Sequence, residues 1–251
     1  DVPHGQVSQR WYYSKVTGKW RRCYVYTPPD YDAGKKRYPV LYAQDAQALW
    51  SSSNDPFGIW RLDHTIDQLL ELAVMEELIV VAIETTYDRM AKLAPTRDKT
   101  YGGGRAGEHL DGITDVLKPR IDADYRTRAG REDTGLIGSS LGGLFSFFAA
   151  WNRPDVFGKA ACLSSSFWWA NRAMIRAVDY APPPRPLIYL DSGVALHADE
   201  ARQDGFHDTR SMHRALVRAG YTDGVDLHRL AFPGQHHSTG AWSARVAIPL
   251  Q

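Results

Sequence analysis

Residues 134–148 of the chain read TGLIGSSLGGLFSFF, and this stretch decides the fold. An apolar run typical of a buried strand leads without a break into a run typical of a helix, with Ser140 at the junction. Gly138 and Gly142 flank this serine two positions before and two positions after it. A serine on a tight strand-to-helix turn needs small residues at both positions for the turn to close. The stretch therefore predicts a nucleophile elbow centred on Ser140.

The predicted helix after Ser140 supplies hydrogen-bond donors. The first N–H groups of a helix have no partner within the helix, and the helix dipole places partial positive charge there. Negative charge that develops beside the serine hydroxyl would be stabilised by the N–H of Leu141. A second donor is expected from Ala46 or Gln47, which follow a predicted central strand at its carboxyl end.

The rest of the chain alternates between strand-like and helix-like runs. Alternating apolar and polar residues predict two antiparallel strands at 6–13 and 19–26. Continuous apolar runs, typical of buried parallel strands, lie at 38–43, 78–83, 157–164, 187–190 and 227–232. Helices are predicted at 60–73, 106–119, 209–219 and 240–247, and a charged connection at 121–131. This order predicts an α/β fold with a mostly parallel central sheet and helices on both faces.

Length and charge narrow the class of protein. The 251 residues suffice for one α/β domain that covers 1–251. The formal net charge is +1 and the basic residues are scattered, which argues against a nucleic-acid or membrane-surface partner. No run is long enough to span a membrane, and the first residues do not resemble a signal peptide. Because the chain does not start with Met, its compartment stays open between the cytoplasm and export after removal of a leader.

The cysteines and histidines do not indicate a metal centre. Cys23 and Cys162 lie in apolar strand-like runs, where buried free thiols are expected. Five histidines show no metal-ligand spacing and are expected at the surface, namely His4, His64, His109, His197 and His213. We expect neither a metal nor another cofactor.

Partners for the serine follow the later strands. A serine nucleophile needs a histidine base and a carboxylate that orients the imidazole. An acidic loop follows the strand that ends near Asp191, and His237 follows the last strand, after His236. The order of serine, acid and histidine is the order found in α/β-hydrolases.

Aromatic residues with flat apolar faces also lie near strand ends. Each of them either packs in the core or lines a pocket for an aromatic acyl group or a sugar ring. The candidate substrate-binding residues are Gln47, Trp50, Trp60, Phe167, Trp168 and Trp169.

Over nearly its whole length the chain resembles the putative esterase family of the α/β-hydrolases, which includes esterase D-like, enterochelin-esterase-like and feruloyl-esterase-like members. The residues that carry the resemblance are Val25-Tyr26-Thr27-Pro28-Pro29-Asp30-Tyr31, Tyr38-Pro39-Val40-Leu41-Tyr42, Asp45 with Gln47, Ile121-Asp122 with Tyr125-Arg126-Thr127, Gly138 to Gly143, Pro154-Asp155-Val156-Phe157-Gly158, Ser164 to Trp169, Asp191-Ser192-Gly193, and Pro233-Gly234 with His237 and Trp242. The resemblance implies an α/β-hydrolase fold without a large separate cap domain, and ester hydrolysis without a cofactor. Members act on feruloyl or acetyl esters of plant polysaccharide, siderophore lactones and other acyl compounds.

The resemblance also implies roles for individual residues. Ser140 matches the nucleophile, and His237 matches the base because family members keep a histidine five residues ahead of a tryptophan, here Trp242. In relatives the acid lies three residues past the glycine that ends its strand, but this chain has Leu196 there. Alignment of the helix that follows makes Asp204 the first choice.

Asp199 and Glu200 are the alternative acids. A second departure lies in the loop after the first central strand, where relatives carry His-Asp-Gly-Gln-Asn and this chain has Gln44-Asp45-Ala46-Gln47-Ala48. The lost glycine restricts the backbone at the expected donor Ala46. We therefore expect a serine carboxylic-ester hydrolase, with two alternatives, namely an acyltransferase with the same triad and a binding protein whose active site has decayed.

Overall fold

The computed structural model describes residues 3–179, 181, 183–196 and 204–251, and its strands form one eight-stranded sheet. The strands are β1 (Gln6–Ser14), β2 (Lys19–Thr27), β3 (Val40–Gln44), β4 (Ile79–Ile83), β5 (Thr134–Ser139), β6 (Lys159–Leu163), β7 (Leu187–Val194) and β8 (Leu227–Pro233). Their order across the sheet is β1-β2-β4-β3-β5-β6-β7-β8. β2 pairs antiparallel with β1 and with β4, and the other neighbouring pairs are parallel. The predicted hairpin and the predicted central strands are confirmed.

Helices connect the parallel strands, and one more follows the last strand. They are α1 (Leu62–Glu71), α2 (Arg89–Leu93), α3 (Ala106–Gly112), α4 (Lys118–Asp124), α5 (Leu141–Asn152), α6 (Trp169–Ala177), α7 (Phe206–Arg218) and α8 (Thr239–Arg245). A π-helical turn (Ile113–Leu117) joins α3 to α4, so the helical backbone continues to residue 124. The prediction that the helix ends at Pro119 was therefore wrong, because the π-helical turn just before this proline lets the helical backbone continue through it into α4.

The sheet separates two apolar clusters. Neighbouring residues of β5 point to opposite faces, so Leu136 belongs to one cluster and Ile137 to the other. Phe145 of α5 and Met212 of α7 cover the first face, and Ile66 of α1 covers the second. Helices on both faces of a mostly parallel sheet confirm the predicted α/β class.

Both cysteines are buried free thiols, as predicted. Burial raises the pKa of the Cys23 thiol to about 12, and it raises the pKa of Cys162 as well. Neither thiol is therefore available as a nucleophile at neutral pH.

Candidate active site

Ser140 lies between β5 and α5 in a backbone conformation that is rare outside glycine, with φ of 57° and ψ of −121°. Gly138 and Gly142 approach each other across the turn. A Cβ added at Gly138 would lie 2.4 Å from the carbonyl carbon of Gly142, a distance that no side chain can occupy. The turn therefore requires glycine two residues before the serine, and it has the geometry of a nucleophile elbow.

The imidazole of His237 connects Ser140 to a buried carboxylate. Its Nε2 lies 3.0 Å from Ser140 Oγ, and its Nδ1 lies 2.6 Å from Oδ1 of Asp204. The His237 side chain, in the loop after β8, is 36% exposed, whereas the Asp204 side chain is fully buried. The structure thus brings together the three residues that the sequence offered as nucleophile, base and acid. His236, the other candidate base, is exposed.

The second oxygen of the Asp204 carboxylate is also held. Oδ2 accepts hydrogen bonds from the Gly193 N–H and from the Ser164 hydroxyl, each 2.5 Å long. Burial alone would raise the pKa of Asp204, but hydrogen bonds from His237, Ser164 and Gly193 together outweigh burial and lower its pKa below the ordinary value. Asp204 is therefore ionised beside the imidazole at neutral pH. The alternative acids Asp199 and Glu200 lie outside the described residues.

Two further side chains contact this group, and sequence reasoning gave neither of them a role in it. Ser166 Oγ lies 3.2 Å from Ser140 Oγ, and the Ser166 N–H donates to the carbonyl oxygen of Ser140 over 3.0 Å. The indole of Trp242 stands edge-on to the imidazole of His237. The run of three serines after β6 was the available signal for Ser166, and Trp242 had served only to align the histidine.

The loop after β3 is anchored beside the elbow. Asp45 has φ of 63°, a left-handed conformation that aspartate adopts more readily than most residues. Its carboxylate accepts two hydrogen bonds from Arg89, of 2.8 and 2.9 Å, and another from the Thr85 hydroxyl. Gly142 packs close by, since a Cβ there would lie 3.2 Å from Asp45 Oδ2.

Ala46 begins a short 3-10 turn (Ala46–Ala48) directly after Asp45. The left-handed residue of this loop is therefore Asp45, and the restriction expected from the missing glycine does not fall on Ala46. Leu141 likewise begins α5, a helix of 12 residues. Two helical turns thus start near the serine, and the first N–H groups of such turns lack partners within the helix.

Most of the candidate substrate-binding aromatics are buried. Trp50 and Trp60 belong to the apolar cluster under α1. Phe167 packs edge-on against Phe147 at 5.7 Å between ring centroids. The indole N–H of Trp169 donates to the carbonyl oxygen of Thr96 over 2.7 Å. This burial favours core packing for these four residues, which was the alternative that the sequence left open.

Trp168 differs from these rings, because 43% of it is exposed. It stands edge-on to Tyr101 at 5.9 Å between ring centroids, and Tyr101 is also exposed. Trp168 comes two residues after Ser166, on the loop that contacts Ser140, whereas Tyr101 reaches it from the connection between α2 and α3. Gln47 instead bonds to the segment after β4, where its side-chain oxygen accepts from the Thr85 N–H over 3.3 Å.

Within the described residues, no three His, Cys, Asp or Glu side chains are grouped so that they could hold a metal ion. The expectation that His109 lies at the surface was wrong. Its ring is buried, lies 3.1 Å from the Gln44 side-chain oxygen and packs against Phe145. Burial and the nearby Lys92 ammonium lower the pKa of His109 well below its ordinary value.

In the described part of the chain, no helix combines the length and apolar character needed to cross a membrane.

Comparison with known proteins places the chain in a family. The family model described as "Putative esterase" matches residues 14–247. The uncharacterised protein YbbA of Bacillus subtilis is 26% identical over 81% of this chain and 80% of its own length. The endo-1,4-beta-xylanase/feruloyl esterase of Xylanibacter ruminicola is 29% identical over 65% of this chain, a match that spans 22% of that longer protein.

Solved structures show the same fold. A ferulic acid esterase superposes with a TM-score of 0.75 at 16% identity, covering 99% of this chain and 97% of that one. The ferric enterobactin esterase of Salmonella typhimurium superposes with a TM-score of 0.76 at 18% identity, covering all of this chain and 58% of that one. Since the family model covers most of the chain, the protein belongs to the putative esterase family of carboxylic ester hydrolases, on the α/β-hydrolase fold.

Proposed function

We propose that this ester hydrolase works through an acyl-enzyme, with Ser140 as nucleophile, His237 as base and Asp204 as acid. The observation that carries the proposal is the unbroken series of hydrogen bonds from Asp204 through His237 to Ser140, which is located at a nucleophile elbow. Because Asp204 accepts a hydrogen bond from the Nδ1–H group, which keeps its proton, Nε2 presents its lone pair to the serine hydroxyl.

The reaction follows from these contacts. Ser140 Oγ attacks the ester carbonyl carbon while His237 Nε2 takes the hydroxyl proton. The tetrahedral intermediate then collapses, and the same proton goes to the leaving alcohol, which departs and leaves an acyl group on Ser140. A water molecule attacks this acyl group while His237 takes one of its protons. The second collapse returns that proton to Ser140 and releases the carboxylic acid.

The negative oxygen of each intermediate needs donors. The N–H groups of Leu141 and Ala46 are the proposed pair, because each begins a helical turn beside Ser140. In other acyl-transfer enzymes, removal of one such donor costs about 10²–10³ in kcat. Arg89 supports this pair indirectly, because it fixes Asp45 ahead of Ala46.

The substrate is proposed to be a small-molecule or carbohydrate ester whose acyl or alcohol part has a flat ring. Trp168, on the loop that contacts Ser140, offers an exposed ring, and the exposed ring of Tyr101 packs against it. The Xylanibacter relative is named a feruloyl esterase, and a feruloyl group is aromatic. A siderophore ester is the other class, since the Salmonella structure is titled a ferric enterobactin esterase.

Turnover of p-nitrophenyl acetate and p-nitrophenyl butyrate tests the proposal. Ser140→Ala is compared with Ser166→Ala, whose missing hydroxyl lies 3.2 Å from Ser140 Oγ. We expect Ser140→Ala to lower kcat by at least about 10⁴-fold and Ser166→Ala to keep it within about tenfold of the wild type. Equal turnover in the wild type and Ser140→Ala would reject Ser140 as the nucleophile.

A further inference from the structure

Arg245 is a buried arginine behind the acid. It lies at the end of α8, eight residues after His237, and it is 1% exposed. Its Nε and Nη2 donate to the two carboxylate oxygens of Asp191 over 3.0 and 2.9 Å, in a bidentate pair. Its Nη1 donates to the Gln235 side-chain oxygen over 2.8 Å. The guanidinium therefore has a fixed position and orientation.

The same guanidinium reaches the acid itself. Nη2 donates to the Ser164 hydroxyl oxygen and lies 3.4 Å from Oδ2 of Asp204. Arginine has donors only, so the Ser164 oxygen must accept this bond. The single hydroxyl proton of Ser164 is then left to donate to Asp204 Oδ2, where the oxygen-to-oxygen distance is 2.5 Å. Arg245 thus sets the direction of a hydrogen bond that it does not itself make.

We propose that Arg245 and Ser164 are positioning residues that hold Asp204 Oδ2, so that Oδ1 is presented to His237. This inference rests on the proposed roles of Asp204 and His237. It adds a series of hydrogen bonds, here called the positioning arm, that runs from Asp191 through Arg245 and Ser164 to Asp204. Asp191 acts at the far end, because it accepts two hydrogen bonds from Arg245 and one from the Ser164 N–H over 3.1 Å.

The balance of buried charge supports a role beyond packing. Asp191 and Asp204 are two buried carboxylates close to one guanidinium, and both contact it. Without the positive charge, two adjacent carboxylates could not both stay ionised in this environment. Tyr189, which donates to Asp191 over 3.1 Å, and His237 are the other titratable groups in contact with this cluster. Arg245 therefore places a positive charge next to Asp204, in addition to the hydrogen bonds from Ser164, Gly193 and His237 that favour its anion.

The helix α8 couples this arm to the base. His237 precedes the helix, Trp242 in its middle contacts the imidazole, and Arg245 at its end binds the acid network. One short element thus sets the positions of the base and of the acid relative to each other. This arrangement suits a chain whose acid comes 11 residues after Gly193, on a long connection from β7.

Two variants test the positioning role. Ser164→Ala removes one hydroxyl, and Arg245→Lys keeps the charge but loses the bidentate geometry. Arg128→Met is the matched control, because Arg128 also binds two carboxylates, those of Glu76 and Asp133. Asp133 immediately precedes β5, whereas Ser140 immediately follows it. The contacts of Arg128 therefore lie at the other end of this strand from Ser140.

The measurements are kcat and KM for p-nitrophenyl acetate over a range of pH, and the proton NMR resonance of the His237 Nδ1–H, identified by its loss in His237→Asn. In Ser164→Ala and Arg245→Lys we expect kcat to fall about tenfold at unchanged KM, the equivalent of one hydrogen bond to a charged group. The acid limb of kcat/KM should move to higher pH, because a carboxylate with fewer donors binds the imidazole proton more tightly. The Nδ1–H resonance should shift in both variants and stay unchanged in Arg128→Met.

The inference would be overturned if the Nδ1–H resonance were unshifted in both Ser164→Ala and Arg245→Lys, even if these variants lost thermal stability. It would also be overturned if both variants kept the wild-type kcat. Absence of the resonance from the wild type at low temperature would overturn it as well. Ser164→Ala removes only one buried oxygen, so it remains informative if Arg245→Lys fails to fold. A resonance that shifts as expected in a protein whose turnover survives Ser140→Ala would support the positioning arm and reject the proposed nucleophile, which separates the two claims.

Discussion

The indole ring of Trp242 stands edge-on to the imidazole of His237, with ring centroids 4.9 Å apart and ring planes at 88°. Trp242 also packs against Trp60, at 6.3 Å between centroids, and Trp60 is buried in the core. The core therefore sets the position of the indole, and the indole limits rotation of the imidazole independently of Asp204. An edge-to-face pair of this kind contributes about 0.5–1.5 kcal/mol beyond the burial of its area.

Replacement of Trp242 by leucine should release the imidazole. We expect Trp242→Leu to lower kcat for p-nitrophenyl acetate about tenfold, while KM stays within about twofold, because the contact orients the base and not the ester. Trp20→Leu is the control, since Trp20 is exposed on the β1–β2 hairpin. Equal kcat values for the two variants would show that the indole does not hold His237.

Loss of Arg89 should weaken the second oxyanion donor. Arg89→Met removes two of the hydrogen bonds to the Asp45 carboxylate and leaves that of the Thr85 hydroxyl, so the turn that begins at Ala46 is held less firmly. We expect kcat to fall about 10²-fold, the cost of one oxyanion donor, with little change in KM. The control is Arg97→Met, because Arg97 is an exposed arginine in the same connection between β4 and β5. Steady-state kinetics of the two variants are compared. If both variants keep wild-type kcat, Arg89 does not support the oxyanion donor at Ala46.

The elbow should not tolerate a methyl group at Gly138. A Cβ there would lie 2.4 Å from backbone of Gly142, and backbone on both sides of Ser140 would have to move. We expect Gly138→Ala to lower the free energy of unfolding in urea by at least about 2 kcal/mol. Gly107→Ala in α3, where a Cβ would meet no atom within 4 Å, should instead be neutral or stabilising by about 0.5–1 kcal/mol. Equal stability of the two variants would contradict the tight closure of the turn.

Asp204 and Asp191 should affect acid stability in opposite directions. The pKa of Asp204 is lowered, so its contribution to stability is complete above the pKa of the unfolded chain and is lost as pH falls through the folded-state value. The pKa of Asp191 is raised by burial, so its protonation favours the folded state as pH falls.

Thermal unfolding between about pH 5 and pH 3 tests these signs. Relative to the wild type, we expect the Tm of Asp204→Asn to fall less steeply on acidification and that of Asp191→Asn to fall more steeply. Parallel curves for all three proteins would contradict the assigned directions.

Trp168 should contribute to recognition of a ring. We expect Trp168→Ala to raise KM for methyl ferulate about tenfold, because the substrate loses an exposed aromatic face, and to leave KM for methyl acetate within about twofold. The exposed ring of Trp11, on the edge strand β1, provides the control variant Trp11→Ala. An unchanged KM for methyl ferulate in Trp168→Ala would exclude the ring from the binding site.

The sequence predicted those features that depend on local pattern. Gly138, Ser140 and Gly142 predicted the turn because its closure depends on residues two apart, and apolar runs predicted the parallel strands because these are buried on both faces. His237 and Asp204 were chosen through a family resemblance, and the structure places His237 against Ser140 and Asp204 against His237.

Features that depend on tertiary packing were not predictable in this way. Arg245 lies 81 residues from Ser164 in the chain, and only the side-by-side packing of β6, β7 and α8 brings the two together. The burial of Trp50 and Trp60 depends equally on how α1 covers the sheet, because position near a strand end does not say to which side a ring points. The continuation of the helix past Pro119 required the π turn, which has no signal in the apolar spacing.

Trapping the acyl-enzyme tests whether Ser140 is the nucleophile. The protein is mixed with p-nitrophenyl butyrate, quenched in acid during the first turnovers, digested and analysed by peptide mass spectrometry. We expect one butyryl group on the peptide that contains Ser140 in the wild type, and no acylated peptide in Ser140→Ala. Rapid turnover by a wild type that carries no acyl group on Ser140, or carries it on another residue, would contradict the proposed mechanism.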